Sequence, residues 1–244
     1  MRDGIDDRGM ELISHVNCTM AAYETPLEWR NAQWWQKKMW YGQVKDAKGV
    51  LKSFSKYLDI IAHELAHGVT ETTAGLVYCN QSGALNESFS DIFGILIRNW
   101  DWAKPETGGE VTEWNWEIGS GLGELGLPLR DIGNPTRTGD PDHMDKYILT
   151  TEDSGGVHWN SNIHNKAAHY ILIAKDDADG YVFTPRQVAE MYYHCLLRLG
   201  ELASFTQARH TLINVAGVYF AGDTQRKDRL DAIRRAYDKV GITG

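Results

Sequence analysis

Cysteine is scarce in this chain: three residues, Cys18, Cys79 and Cys195, among 244. None stands in a C-x-x-C pair, which excludes a thiolate metal site of that spacing. An odd count leaves at least one thiol free, and the plain reading of all three is small core or surface residues. Long hydrophobic runs are also missing. No stretch approaches the roughly 20 apolar residues that cross a bilayer, so no membrane partner is expected. The first ten residues, Met1 to Met10, are charged and lack the apolar region of a secretory signal. The expectation is a cytoplasmic chain, or a mature one whose leader has been removed. Positive charge is outnumbered, with 25 Lys and Arg against 33 Asp and Glu and a net charge of −8. That balance argues against holding a polyanion by counterion release. Nine tryptophans are the one feature a nucleic-acid reading could use, and without a basic stripe they do not carry it. Repeats and low-complexity segments are lacking as well.

What is present is an ordinary globular composition, 42% hydrophobic and 24% charged, in a chain long enough to bury a sizeable core. The first 55 residues are aromatic-rich and turn-broken, with Lys38 to Val44 reading as a strand. Apolar residues at Leu58, Ile61, Leu65 and Val69 predict a helix over about 56–73, with Asp59 in its first turn, where a carboxylate suits the helix dipole. A second helix is expected over about 84–102. Residues 104–156 carry Gly and Pro and read mostly as loop, long enough to suggest a functional surface. A third helix is expected over about 158–175. Thr184-Pro185-Arg186-Gln187 and Ser204-Phe205-Thr206-Gln207 are capping boxes that open two more. The first of these two ends at Gly200, and a last helix, about 225–240, stops at Gly241. The pattern predicts an α+β protein with a short β-containing N-terminal part and a mainly helical C-terminal domain.

The chemistry is concentrated in His63-Glu64-Leu65-Ala66-His67, an H-E-x-x-H. On a helix, positions i and i+4 share a face, so both imidazoles can meet one ion. Glu87 is the natural third ligand. Two imidazoles, one carboxylate and an open fourth position for water make a catalytic zinc site. Glu64, beside the first ligand, can act as a general base. The competing reading is a charged surface helix. The apolar flanks argue instead for burial, where such groups are costly unless a metal satisfies them. Glu87 and Asp91 are again four apart, which places Asp91 to accept a hydrogen bond from the far nitrogen of a ligand imidazole.

Four segments, in order, resemble the thermolysin family of neutral zinc metallopeptidases, the gluzincins. They are Ala74-Gly75-Leu76-Val77-Tyr78, Gly83-Ala84-Leu85-Asn86-Glu87, Gly139-Asp140-Pro141-Asp142-His143 and Gly155-Gly156-Val157-His158-Trp159-Asn160. The similarity runs from about Asn31 to the C-terminus. The resemblance implies a thermolysin-like fold and one catalytic Zn2+ held by His63, His67 and Glu87. It implies that Glu64 takes a proton from the zinc-bound water and passes it to the leaving amine. Tyr78 and His158 would stabilise the oxyanion, and Asp153 would orient His158. Asn31 and Ala32, in Asn31-Ala32-x-Trp34, would lie on an edge strand that pairs with substrate backbone. Arg130 would bind a substrate carbonyl, while Leu51, Phe54, Ile60 and Leu129 would wall an apolar pocket. The implied function is a zinc endopeptidase that cuts peptides or proteins on the amino side of hydrophobic residues, secreted if it is like the family.

Two departures from that family stand out. The family carries a large β-rich N-terminal domain, yet only 30 residues precede Asn31. Residues 1–74 are therefore read as a remnant of that domain plus the H-E-x-x-H helix. Residues 75–244 are read as a helical domain with the third ligand and the catalytic histidine. The second expectation is a catalytically weak or inactive zinc-binding module that serves a binding role. The family also often holds paired calcium ions beside the zinc helices. Asp59 and Glu117 match two of the carboxylate positions, but Arg98, Asn115 and Ser120 stand where more would be expected. Fewer anionic oxygens weaken such a site, so calcium is expected weak or absent, with Arg98 paired to Asp59 or Glu117.

Overall fold

A computed structural model describes residues 3–19, 27–46 and 48–244. Residues 1, 2, 20–26 and 47, all within the expected N-terminal part, lie outside the described residues. The chain opens with a four-stranded sheet made of β1 (Ser14–Cys18), β2 (Trp29–Trp35), β3 (Lys38–Lys45) and β4 (Leu51–Ser53). β3 is central, antiparallel to β2 and β4 and parallel to β1. Its sequence sends Met39, Tyr41 and Val44 inward. Gln36 and Lys37, at φ of 51° and 60°, make the tight turn from β2 to β3, a left-handed pair that matches the twist of a hairpin. Among the described residues β2 pairs only with β3, so its other edge is free.

Six helices follow: α1 (Leu58–Glu71), α2 (Asn80–Arg98), α3 (Asp153–Leu172), α4 (Pro185–Leu196), α5 (Phe205–Tyr219) and α6 (Arg226–Asp238). α2 is the centre, with every residue from Ser82 to Ile92 buried, and α1 and α3 pack on either side. Glycine permits both contacts. A Cβ at Gly94 would come within 2.8 Å of the Asp59 carbonyl, and one at Gly83 within 2.5 Å of Val157. A larger, helical core includes Leu85, Phe89, Ile163 and Tyr237. A smaller one lies between the sheet and α1, around Met39, Phe54, Ile60 and Ile118. The architecture is α+β, a small β part followed by helices.

The boundaries differ from the sequence reading for local reasons. α2 starts at Asn80, four residues early, because the Ser82 hydroxyl bonds back to the Val77 and Cys79 carbonyls and closes the turn. It stops at Arg98 because the Asn99 amide caps Ile95 O and reaches across to Asn115 O. α3 ends at Leu172, after which Lys175 bridges to Tyr181. α4 ends at Leu196; the Leu197 amide still bonds to Tyr193 O, and residues 198 and 199 continue only as tighter i to i+3 turns. The stretch 104–156 is not structureless. It carries the antiparallel pair β5 (Glu117–Ile118) and β6 (Arg130–Asp131), and short 3-10 turns at Pro135–Thr138 and Met144–Lys146.

Both capping boxes form, with the Thr184 and Ser204 hydroxyls accepting from the Gln187 and Gln207 amides at 3.2 Å each. Thr184→Ala and Ser204→Ala should each lower stability by about 1 kcal/mol, read as a fall in the urea midpoint at constant m.

Candidate active site

α1 brings His63 and His67 to one face, a turn apart, and α2 sets Glu87 opposite them. The two Nε2 atoms stand 2.9 Å apart, and each lies 3.4 Å from a Glu87 oxygen. One ligand atom from each of the three residues falls within 4.8 Å of the others. The outer nitrogens are spoken for. His63 Nδ1 meets Asp91 Oδ1 at 2.8 Å, and His67 Nδ1 meets Asn86 Oδ1 at 2.7 Å. Asn86 donates its own amide to Leu76 O, which turns its oxygen toward the imidazole.

Each Nδ1 therefore donates, and each neutral Nε2 presents a lone pair to the other. Two lone pairs at that separation repel unless a cation lies between them. Glu87 Oε2 and Glu64 Oε2 are buried with no hydrogen-bond partner, which is costly for a carboxylate. Two imidazole nitrogens and a carboxylate oxygen converging on one point are the donor set of a zinc site with a free fourth position. The residues fit the ion.

Without metal, a proton takes that place. Burial opposes a charge on His63, but the Asp91 and Glu87 carboxylates outweigh it and push the imidazole up to about 10. Burial pulls His67 down to about 4. Glu87 is buried as well, yet the surrounding imidazoles hold it well below the usual carboxylate range. Burial raises Glu64 to about 7, against the pull of the His63 charge.

Tyr78 and His158 form the opposite wall. The Tyr78 hydroxyl donates to Glu87 Oε1 and lies 3.2 Å from His158 Nε2. Asp153 accepts from His158 twice, from the backbone N–H at 2.8 Å and from Nδ1 at 2.6 Å. This contact depends on a left-handed run, Asp153 to Gly156, with φ of 48°, 53°, 93° and 74°. Burial would lower the His158 pKa, but Glu87 and Asp153 prevail and raise it, favouring the form that donates from both nitrogens.

These groups line a cleft of about 610 Å³, bordered by Asn31, Ala32 and Trp34 of β2 and by Glu71 and Leu76. The remaining sequence candidates lie elsewhere. Arg130 grips Asp91 with two hydrogen bonds, 2.7 and 2.6 Å, and does not line the cleft. Phe54 and Ile60 are buried in the smaller core, Leu129 packs against it, and Leu51 is half-buried on β4. Arg98 pairs with Asp59 at 3.3 Å and donates to the Glu117 carbonyl, while the Glu117 carboxylate pairs with Arg137.

Three participants escaped the sequence reading. Asn86 and Ser90 hold His67, with Ser90 Oγ 3.1 Å from Nδ1. A signal existed, since the two are four apart on the face next to Glu87 and Asp91. Asn165 donates to Asp91 Oδ2 at 2.9 Å from a distant helix, and no local spacing marks it.

One carboxylate supplied from a second helix to an H-E-x-x-H helix is the ligand arrangement of the gluzincin class. Residues 74–242 match the family described as thermolysin metallopeptidase, alpha-helical domain, and residues 1–71 match its catalytic domain. The chain belongs to the thermolysin metallopeptidase family. It is 37% identical to a bacillolysin of Brevibacillus brevis across 99% of its own length and 42% of that protein's. It is 36% identical to a thermolysin of Alicyclobacillus acidocaldarius over 88% and 38% of the two lengths. The chain thus spans about two fifths of these relatives. The precursor of protealysin, a metalloproteinase from Serratia proteamaculans, superposes with a TM-score of 0.77 at 30% identity, covering 99% of this chain and 72% of that one. No helix among the described residues is long and apolar enough to cross a membrane.

Zinc must displace the His63 proton, so binding near pH 7.5 should release about one proton per ion, measured calorimetrically in buffers of different ionisation enthalpy. The metal-free protein has its own pH dependence. The folded His63 value of about 10 lies above the unfolded one. Its contribution is therefore complete below about pH 6.5 and disappears as pH rises through about 10, so the metal-free melting temperature should fall across that window.

Proposed function

We propose that this chain is a zinc-dependent endopeptidase that hydrolyses peptide bonds on the amino side of hydrophobic residues. The observation that supports this most is the buried Glu64 carboxylate, its Oε2 unpartnered, beside two converging imidazole nitrogens in the cleft that Tyr78 and His158 also line. Zinc, when held by His63, His67 and Glu87, would act as a Lewis acid and lower the pKa of water to about 7. The chain's own residues do the rest.

Glu64 is the proton carrier. Its pKa of about 7 lets it take a proton at Oε2 and later give it to the leaving amine near neutral pH. Tyr78 and His158 donate hydrogen bonds to the oxygen that gains charge as the carbonyl is attacked. Asp153 keeps the His158 ring turned into the cleft. The free edge of β2, at Asn31 and Ala32, offers backbone groups to an extended peptide, a mode in which the main chain supplies affinity and side-chain pockets supply selectivity. The hydrophobic preference rests on the family resemblance, which assigns Leu51, Phe54, Ile60 and Leu129 to the pocket wall; none of the four lines this cleft. The family resemblance assigns Arg130 to a substrate carbonyl; its guanidinium is held by Asp91, one layer behind the cleft lining.

The Arg98 guanidinium supplies the positive charge that Asp59 needs, so this region holds no tight calcium. Adding millimolar calcium should leave the melting temperature of the zinc-loaded protein unchanged. Arg98→Ala, which leaves the buried Asp59 carboxylate with the Gly119 N–H but no cation, should cost about 3 kcal/mol in urea unfolding.

A quenched peptide with a hydrophobic residue after the cleaved bond should be cut, with activity lost to a chelator and restored by zinc. Glu64→Gln should lower kcat/KM by about 10²- to 10⁴-fold while zinc is retained. Tyr78→Phe and His158→Ala should each cost on the order of 100-fold. Zinc bound without turnover in the wild type would favour a binding module instead.

A further inference from the structure

Resting on the peptidase reading, we propose that Glu71 and the Trp34 indole form a subsite that selects peptides bearing a cationic group about two residues from the cleaved bond. His63, His67 and Glu71 follow one another at intervals of four on α1, so all three share a face. Glu71 stands one turn beyond His67, about 5–6 Å along the axis. An extended peptide advances about 3.3 Å per residue, which sets the distance in substrate residues.

The other cleft carboxylates, Glu64 and Glu87, are buried. Glu71 is exposed and lines the same cleft. Its position is fixed from one side. The Trp34 indole N–H donates to Glu71 Oε2 at 2.5 Å. The Trp34 ring in turn lies on the bare backbone of Gly68, where a Cβ would come within 2.8 Å of it. Glu71 makes no ion pair among the described residues, where its side-chain partner is the Trp34 indole. An aimed, exposed carboxylate without a cation, held at the indole edge, suits an ammonium or guanidinium group.

The rival role is purely structural, in which Glu71 only anchors Trp34. Glu71→Gln separates the two, because the amide oxygen still accepts from the indole while the charge is gone. The test uses the zinc-loaded chain and quenched peptides with Lys, norleucine or Glu placed in turn at three positions on either side of the cleaved bond. Each peptide is made with a free and with an acetylated N-terminus.

The wild type should favour Lys over norleucine at one position by about three- to tenfold in kcat/KM, less at high salt. Glu71→Gln should level the ratio, and Glu71→Lys should shift it toward the Glu peptide. A preference that needs the free N-terminus assigns the cation to the α-amino group, and one that survives acetylation assigns it to the side chain. Equal treatment of Lys and norleucine at every position, or a preference that persists in Glu71→Gln, overturns the subsite. If no peptide is cut, the peptidase reading fails by itself. The same ratio is then read as Kd by fluorescence anisotropy on Glu64→Gln protein, where equal Kd values for Lys and norleucine peptides overturn the proposal.

Discussion

Asp91 is the point on which both the chemistry and the architecture turn. Its carboxylate is fully buried and accepts four hydrogen bonds: His63 Nδ1 at 2.8 Å, two from Arg130 at 2.6 and 2.7 Å, and Asn165 at 2.9 Å. The donors come from α1, β6 and α3, and Asp91 itself from α2. An isolated carboxylate in that position would lose several kcal/mol of hydration, so its partners are a condition of its charge. The Arg130 guanidinium and the His63 contact hold its pKa below the usual range despite burial. The same bond that neutralises Asp91 fixes the hydrogen on His63 Nδ1 and turns Nε2 toward the ion. Ligand geometry and helix packing therefore cannot be varied separately here.

The close approach of α2 to its neighbours is what lets short side chains meet. Glu87 reaches two imidazoles on α1 because Gly94 admits the α1 backbone, and Gly83 admits Val157 at the start of the right-handed part of α3. Deeper in the same interface, Ser88, His164 and Tyr237 run as a buried chain of hydrogen bonds at 2.7 and 2.9 Å. Burial drives His164 down to about 3, so it stays neutral and serves the core, not the cleft. A polar interior of this kind costs little when every member is satisfied. Other buried polar atoms also lack a partner, among them the Tyr41, Thr70 and Tyr192 hydroxyls, but Glu64 Oε2 and Glu87 Oε2 are the carboxylate oxygens so left among the described residues, and both belong to the functional centre.

Where chemistry is written at helical spacing, the sequence is legible. His63 and His67, and Glu87 and Asp91, follow the i, i+4 rule, and the structure brings all four together. The capping boxes at Thr184 and Ser204 are equally local and appear where they were read. Helix ends were less legible, because Ser82 and Asn99 act through side-chain bonds to backbone that propensity does not register. Partners brought from far away in the chain were not legible at all. Asn165 lies 74 positions from Asp91, and nothing near it in sequence announces the contact. Arg130 was visible as a candidate, but its grip on Asp91 was not.

The segment before His158 shows how positioning is achieved outside regular structure. Asp153 and Ser154 hold left-handed backbone at φ of 48° and 53°, a conformation that costs non-glycine residues of order 1 kcal/mol or more each. Gly155 and Gly156 continue the run without that cost, and at Gly155 a Cβ would meet Asn80 Oδ1 at 2.2 Å. The turn brings the Asp153 carboxylate back over the start of the helix. There it accepts the His158 N–H as well as Nδ1. One carboxylate thus caps the right-handed part of α3 and orients its second side chain. Backbone strain in the turn is offset by the two hydrogen bonds it makes possible, and the imidazole is left with little freedom except to face the cleft.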